Sequence, residues 1–232
     1  MIPAPETLDS IPVNIDLKDL QRKLHMKPGT QWNHVLSLAE SARPYMEPKV
    51  VFKTGYIDEK FADGILLNGM RFTSTVLRKQ LDSVERVFPY VMTIGSGWEK
   101  MIEASHDSLD QYYLDSIANV ALISSRQYFT KHLQTRFALG KLSRLGPGSL
   151  ENWPISEQKH LFSILGDVES AIGVTLTESF LMMPRKSSSG IYFPTEIPFY
   201  ACQLCPKEEC PSRKAAYDPN KADEYELTKP TG

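Results

Sequence analysis

Cysteine is missing from all of this 232-residue chain except one nine-residue stretch, Cys202 to Cys210. No disulfide framework can therefore span the fold, and a chain of this length can bury enough apolar surface to stand without one. An excess of either charge is missing too. Twenty-six Lys and Arg face 28 Asp and Glu, for a net charge of −2, and no basic stripe breaks the balance, which removes the electrostatic case for a nucleic-acid partner. No window reaches the roughly 18 apolar residues that a membrane-crossing helix needs. The amino terminus, Met1-Ile-Pro-Ala-Pro-Glu6, carries neither a charged leader nor an apolar core, so a cytoplasmic protein with no membrane partner is expected. Internal repeats are absent. Gly95-Ser-Gly97 follows an extended run but lacks the third glycine of a dinucleotide fingerprint. It reads instead as the opening of a helix, with Ser96 and Glu99 in a capping-box arrangement.

What remains is the pattern of an α+β protein, 41% hydrophobic. Leu17, Leu20 and Leu24 give a short helix within Asp16 to His25, and Thr30 caps a second helix through about Ala42, which Pro44 stops. Lys49 to Lys53, Gly64 to Leu67 and Arg86 to Ile94 read as strands, with a helix from near Thr73 between the last two. Leu109, Tyr113, Ile117, Val120, Ser124 and Tyr128, three or four apart, mark a long central helix running towards Phe137. Asp115 and Arg126 within it read as solvated or paired charges. Ser156 caps a further helix whose buried side is Leu161, Leu165 and Val168, with Trp153 as an apolar plug at its entrance. Three regions result: a lead-in over 1–40, an α+β domain over 41–198, and a cysteine segment with a mobile tail over 199–232.

The cysteine segment is Cys202-Gln-Leu-Cys205-Pro-Lys-Glu-Glu-Cys210. A C-x-x-C turn brings two thiolates to one ion or cluster, and the spacer before Cys210 can deliver a third. An iron–sulfur cluster or a zinc ion is expected at these three residues. A redox dithiol with a spare cysteine, or three inert thiols, remain open readings.

Two polar islands stand where apolar structure is expected. Arg144-Leu-Gly-Pro-Gly-Ser149 joins the long helix to the next one, and its glycines and proline allow a tight bend that exposes N–H groups beside a guanidinium suited to an anion. From Ile172 to Phe193, Val174, Leu176 and then Phe180 and Met182 alternate with polar residues as in a half-buried strand ending at Pro184. Arg185 to Gly190 reads as a loop of small polar residues, and Ile191 to Phe193 as a new extended run.

Leu176-Thr-Glu-Ser-Phe180, Pro184, and Ser187-x-Ser189-Gly190-x-Tyr192-Phe193, preceded by Arg144-x-x-x-Gly148, resemble the reactivation (activation) domain of cobalamin-dependent methionine synthase. The likeness runs from about residue 40 to 195, takes in Val91 to Gly95 and the helix around Asp115, and is dense only after Arg144. It implies a twisted antiparallel sheet flanked by helices, S-adenosylmethionine as cofactor, and docking over a cobalamin carried by a corrinoid methyltransferase partner. Another protein would donate the electron for reductive reactivation and remethylation. The resemblance points to Arg144 for the carboxylate of the methyl donor, and to Gly146, Pro147 and Gly148 for a bend presenting backbone amides. Glu178 would offset the sulfonium charge or fix the turn, and Ser187, Ser189 and Gly190 would shape the corrin-facing surface. The bend and the serine-rich turn are expected to share one cavity. The family tyrosine after the glycine is replaced by Ser149, and no part of the chain resembles the cobalamin-, homocysteine- or folate-binding portions of the enzyme. A stand-alone protein acting in trans is the leading expectation. The rivals are an iron–sulfur electron-donating activator without S-adenosylmethionine, and a zinc-stapled assembly factor.

Overall fold

The computed structural model describes residues 3–150, 152–208, 210 and 213–225. Strand β1 (Glu6–Leu8) precedes helix α1 (Leu17–Lys23), whose first turn is capped by the Asp16 carboxylate accepting from the N–H groups of Lys18 and Asp19. Helix α2 (Thr30–Ala42) has Gly29 rather than Thr30 at its cap position, with no side-chain hydrogen bond there. Next come β2 (Lys49–Phe52), β3 (Gly55–Lys60), β4 (Gly64–Leu67) and β5 (Met70–Thr73). The Ser74 hydroxyl caps α3 (Thr75–Gln80), and β6 (Arg86–Thr93) leads to α4 (Gly97–Ala104). Ser96 occupies the α4 cap position but makes no capping hydrogen bond. Glu99 is instead drawn away to accept from the Arg185 N–H at 3.0 Å.

Helix α5 (Ser108–Arg136) is 29 residues long and capped by Asp107. Strand β7 (Leu142–Leu145) follows, then a 3₁₀ turn (Ile155–Glu157), α6 (Gln158–Leu165) and α7 (Val168–Ile172). Gly166, with φ of +79°, separates the two helices that the apolar spacing had read as one. Strands β8 (Thr175–Leu176), β9 (Met182–Met183) and β10 (Ser187–Pro194) precede α8 (Pro219–Glu224).

Every strand pairing is antiparallel. Strand β6 is the spine of an eight-stranded curled sheet: β2 and β10 flank most of its length, β3 takes over at Val87 and Arg86, and β7 pairs with the far side of β10. The expected α+β class, with helices flanking an antiparallel sheet, is the fold observed. One face of the sheet carries Val50, Phe52, Phe88, Tyr90, Met92 and Tyr192 against α1, α2 and α5. The alternate residues of the same strands, among them Val87, Leu145, Ile191 and Phe193, pack on the opposite face with α3 and α6. Val51 and Val91 join α6 and α7 there. The lead-in contributes to the first of these layers, since Ile11, Ile15, Leu20, Trp32 and Val35 are buried in the same cluster as α5, and β1 extends the sheet beside β2.

Two local readings are corrected. The alternating run from Val174 to Met182 is a hairpin rather than one strand: β8 pairs with β9, and Phe180, with φ of +60°, turns the chain between them. The supposed polar loop before Ile191 is the first half of β10, which runs unbroken from Ser187 to Pro194. Small hydroxyl side chains are tolerated in this inner strand because each finds a polar partner on its own side of the sheet, as set out below. The tail reading falls partly outside the described residues. Within them, α8 is ordered against the body, with Ala222 and Tyr225 buried.

Candidate functional site

Arg144 lies in strand β7 rather than in a loop, opposite Tyr192 of β10. Side chains directly opposite on paired strands share a face, so Arg144 joins Tyr192 on the side covered by α5. Gly190 pairs with Tyr90 on β6, and Ser188 with Met92, which puts Lys186, Ser188, Gly190 and Tyr192 in a row along that same face. The α5 residues facing this row are Asp115, Asn119, Arg126 and Thr130, whose spacings of four, seven and four keep them on one helix stripe.

Contacts fix the alignment. Lys186 Nζ meets Asp115 Oδ1 at 2.7 Å, and Asn119 Nδ2 donates to the other Asp115 oxygen at 3.0 Å. At the far end, Thr130 Oγ1 is 3.1 Å from the Tyr192 hydroxyl. Helix and strand thus run in the same direction. Fifteen helical residues from Asp115 to Thr130 span about 22 Å, and six strand residues from Lys186 to Tyr192 span about 20 Å. The result is a polar seam with a carboxylate at one end and guanidiniums at the other.

The basic end is dense in chemistry. Arg144 Nη1 donates to the Tyr90 hydroxyl at 3.4 Å, and that hydroxyl is 3.3 Å from Ser188 Oγ. The Tyr90 and Tyr192 rings lie 4.9 Å apart, tilted by 46°. Arg126, one helical turn before Thr130, stands beside the same pair. Burial, with the Arg144 charge next to it, pulls the Arg126 guanidinium below its ordinary pKa. Arg144 is pushed up, chiefly by the Tyr90 oxygen, against the burial that opposes it. Burial first, and Tyr90 second, push Tyr192 up to about 12, so its hydroxyl keeps its proton and is a donor at neutral pH. Among the described residues neither arginine has a carboxylate partner, and Arg126 has no side-chain hydrogen bond.

The other residues singled out from the sequence fall around this seam in different ways. Ser189 points to the opposite face of the sheet, where its hydroxyl donates to Gln158 Oε1 of α6 at 2.7 Å. Its side chain and that of Arg144 therefore share no cavity. Strand alternation is the reason, and Ser188 takes the place expected for Ser189. Ser187 Oγ bonds to the Pro184 carbonyl at 2.7 Å, and Glu178 is exposed in the turn between β8 and β9. The Ser149 N–H donates to the Gly146 carbonyl at 3.1 Å, closing the turn that contains Pro147, and the Gly148 N–H donates to the Trp153 carbonyl at 2.7 Å. Gly146 and Gly190 serve close approach: a Cβ on Gly146 would sit 2.6 Å from the Ser189 carbonyl oxygen, and one on Gly190 would sit 2.3 Å from that of Leu145. Ser149 Oγ bonds to the Gly146 carbonyl within the bend, at 2.5 Å.

Trp153 is buried, as its reading as a plug required. Its indole N–H donates to Glu157 Oε2 at 2.8 Å, and the same carboxylate accepts from the Thr73 N–H at 3.0 and 3.1 Å. The bend that follows β7 is thereby stapled to β5. Tyr90, Asn119, Ser188 and Tyr192 were missed by sequence reasoning. The parity of Arg144 and Tyr192 would have revealed Ser188 and Tyr192, had residues 187–194 been read as one strand.

The cysteine segment comes close to the basic end. The Lys214 N–H approaches Cys202 Sγ at 3.5 Å, and burial, followed by the Arg126 and Arg144 charges, pulls Lys214 below its ordinary pKa. The loop is gathered around the guanidinium of Arg213, which donates to the carbonyls of Cys202 (3.2 Å), Cys205 (3.4 Å), Ala215 (3.4 Å) and Lys207. All three cysteines are free thiols of intermediate exposure. Among the described residues no group of three or more His, Cys, Asp or Glu is placed to hold a metal ion. Arg213 thus ties four carbonyls of this loop together, and among the described residues the three thiols are not gathered as a three-thiolate zinc or iron–sulfur site would require. A separate open hollow of about 550 Å³, lined by His25, Gln31, Tyr112 and neighbours, holds none of the residues expected from the sequence. No helix among the described residues is long and apolar enough to cross a membrane.

Comparison with known proteins bears on the same region. A family model described as the activation domain of vitamin B12 dependent methionine synthase matches residues 144–213, from the seam arginine through the cysteine segment. The solved structure of the MetH reactivation domain bound to AdoHcy superposes with a TM-score of 0.61, covering 85% of this chain and 80% of that one at 15% sequence identity. The resemblance drawn from the sequence motifs is thus shown by a family model and by the fold. No curated protein matches the chain.

Proposed function

We propose that this protein supports the reductive reactivation of a corrinoid methyltransferase, binding S-adenosylmethionine along the seam between α5 and β10 while docked on the partner's cobalamin. The observation that carries this reading is Arg144, a half-buried guanidinium with no carboxylate partner among the described residues, standing at the head of the family match and on the floor of the seam. A guanidinium so placed suits a ligand carboxylate, which it can grip through two parallel hydrogen bonds. The Tyr90 hydroxyl steers Arg144 by accepting its Nη1 proton. The Tyr192 hydroxyl, protonated at neutral pH, adds a donor beside it.

At the opposite end of the seam Asp115 is held between Lys186 and Asn119. S-adenosylmethionine supplies a methyl group when bound. The residues of this chain contribute grip, direction and partial exclusion of water, while the cobalt chemistry belongs to the partner's cofactor.

The test is calorimetric titration of the chain with S-adenosylmethionine and with AdoHcy. Saturable heat is expected for both, and Arg144→Lys should weaken binding about tenfold or more, because a point charge cannot reproduce the two-pronged grip. Absence of heat at millimolar ligand would remove the methyl donor from the reading. Cob(II)alamin reduction and methylation, followed in a mixture with a candidate corrinoid protein and an electron donor, test the reactivation role itself.

A further inference from the structure

The basic end of the seam carries more charge than a single ligand carboxylate needs. Arg144 reaches it from β7, and Arg126 from α5, one turn before the threonine that touches Tyr192. Two guanidiniums brought together out of bulk water repel each other, and each loses hydration that nothing repays unless it is paired. Such pairs persist in proteins where a counter-charge of matching size completes them. Among the described residues no Asp or Glu does so here. The acidic groups of the seam are spent elsewhere, with Asp115 held by Lys186. A third cation, Lys214, comes in from the cysteine segment, where burial first and then the charges of both arginines pull its pKa down.

We propose that Arg126 and Arg144 together form a site for a doubly charged phosphate group. One carboxylate would leave net positive charge in this half-buried place, whereas a phosphate dianion brings two charges and oxygens enough for both planar forks at once. The phenol of Tyr192, which keeps its proton, donates to the same group, and Lys214 closes over it. The site overlaps the carboxylate end of the methyl-donor reading but does not depend on it, since the pairing of two arginines calls for an anion whatever occupies the rest of the seam. Free phosphate and the phosphate of a nucleoside monophosphate share this chemistry.

The experiment is thermal unfolding and calorimetry of the full chain with sodium phosphate, with adenosine monophosphate, and with sodium chloride at equal ionic strength. Phosphate or the nucleotide is expected to raise the melting temperature above the chloride control. Arg126→Met should melt higher than wild type in chloride, because a like-charge repulsion is gone, and should lose affinity for phosphate about tenfold or more. Arg126→Lys should recover part of that affinity. A stronger effect of the nucleotide assigns the phosphate to a nucleotide ligand, and a stronger effect of phosphate alone assigns it to the free ion. Wild-type protein that responds no more to phosphate than to chloride, or an Arg126→Met variant that binds phosphate as well as wild type, overturns the proposal. S-adenosylmethionine titrated separately keeps the two readings apart: phosphate binding without S-adenosylmethionine binding retires the methyl donor alone, and the reverse retires the phosphate site alone.

Discussion

Replacing Gly190 by alanine should unfasten β7 from the sheet and disturb Arg144 without touching it. A Cβ at position 190 would lie 2.3 Å from the Leu145 carbonyl oxygen, at least 0.7 Å inside the 3.0 Å below which real Cβ contacts essentially do not occur. The obstacle is backbone and cannot swing aside. The φ of +152° at this residue is also one that side-chain-bearing residues rarely adopt, at a cost of about 1–2 kcal/mol. Parting the strands at the Ile191–Leu145 pair forfeits about two ladder hydrogen bonds, each worth about 1 kcal/mol. The sum is about 3–4 kcal/mol. With a urea m-value of about 3 kcal/mol/M, the unfolding midpoint should fall by about 1 M, read by circular dichroism and tryptophan fluorescence together. Gly140→Ala is the control, because nothing lies within 4 Å of its Cβ position, and it should stay within about 0.5 kcal/mol of wild type. A Gly190→Ala variant as stable as the Gly140→Ala control would refute the close-approach argument and, with it, the account of how β7 is held.

Glu157→Leu removes the acceptor shared by the Thr73 N–H and the Trp153 indole N–H. Two donors left buried should lower stability by about 2–5 kcal/mol, whereas Glu157→Gln keeps an acceptor and should cost less; equal unfolding midpoints for the two variants would contradict this. His132 should make the fold acid-sensitive. Its Nε2 is buried without a partner among the described residues, and burial, with Arg136 second, pulls its pKa below the ordinary value. As pH falls through about 6.5, the unfolded chain takes up this proton before the folded one does. Stability should therefore drop below that pH and level off once the folded-state pKa is passed. Urea midpoints measured between about pH 7.5 and 5 should show a shallower acid loss in His132→Gln, and parallel curves for the two proteins would assign the acid sensitivity to other groups.

Where apolar period and caps agreed, the fold was legible. The long helix was found within a residue or two of Ser108–Arg136, as were the strands around Val50 and Val91. Failures have physical causes. Strand β10 was read as a loop in its first half because Ser187, Ser188, Ser189 and Gly190 carry no apolar signal. In the fold Ser188 and Ser189 are satisfied on opposite sides, by Tyr90 and by Gln158. Strand β7 was hidden inside a glycine-rich bend only four residues long. Of the candidate site, Arg144 was singled out from its motif, while its companions belong to β6, β10 and α5 and are joined only by register, which no local pattern reports. The three cysteines were read by spacing, a criterion that carries no information about the Arg213 side chain around which their loop is folded.

The matched run of α5 and β10 also limits how this protein can vary. Each residue inserted into the helix between Asp115 and Thr130 turns everything beyond it by about 100°, and each residue inserted into the strand between Lys186 and Tyr192 flips everything beyond it to the other face. Neither wall can change length alone without uncoupling the two ends of the seam. A change of ligand preference is therefore expected as an exchange of side chains along the seam, Arg144 and Tyr90 included, rather than as a change in the length of either wall.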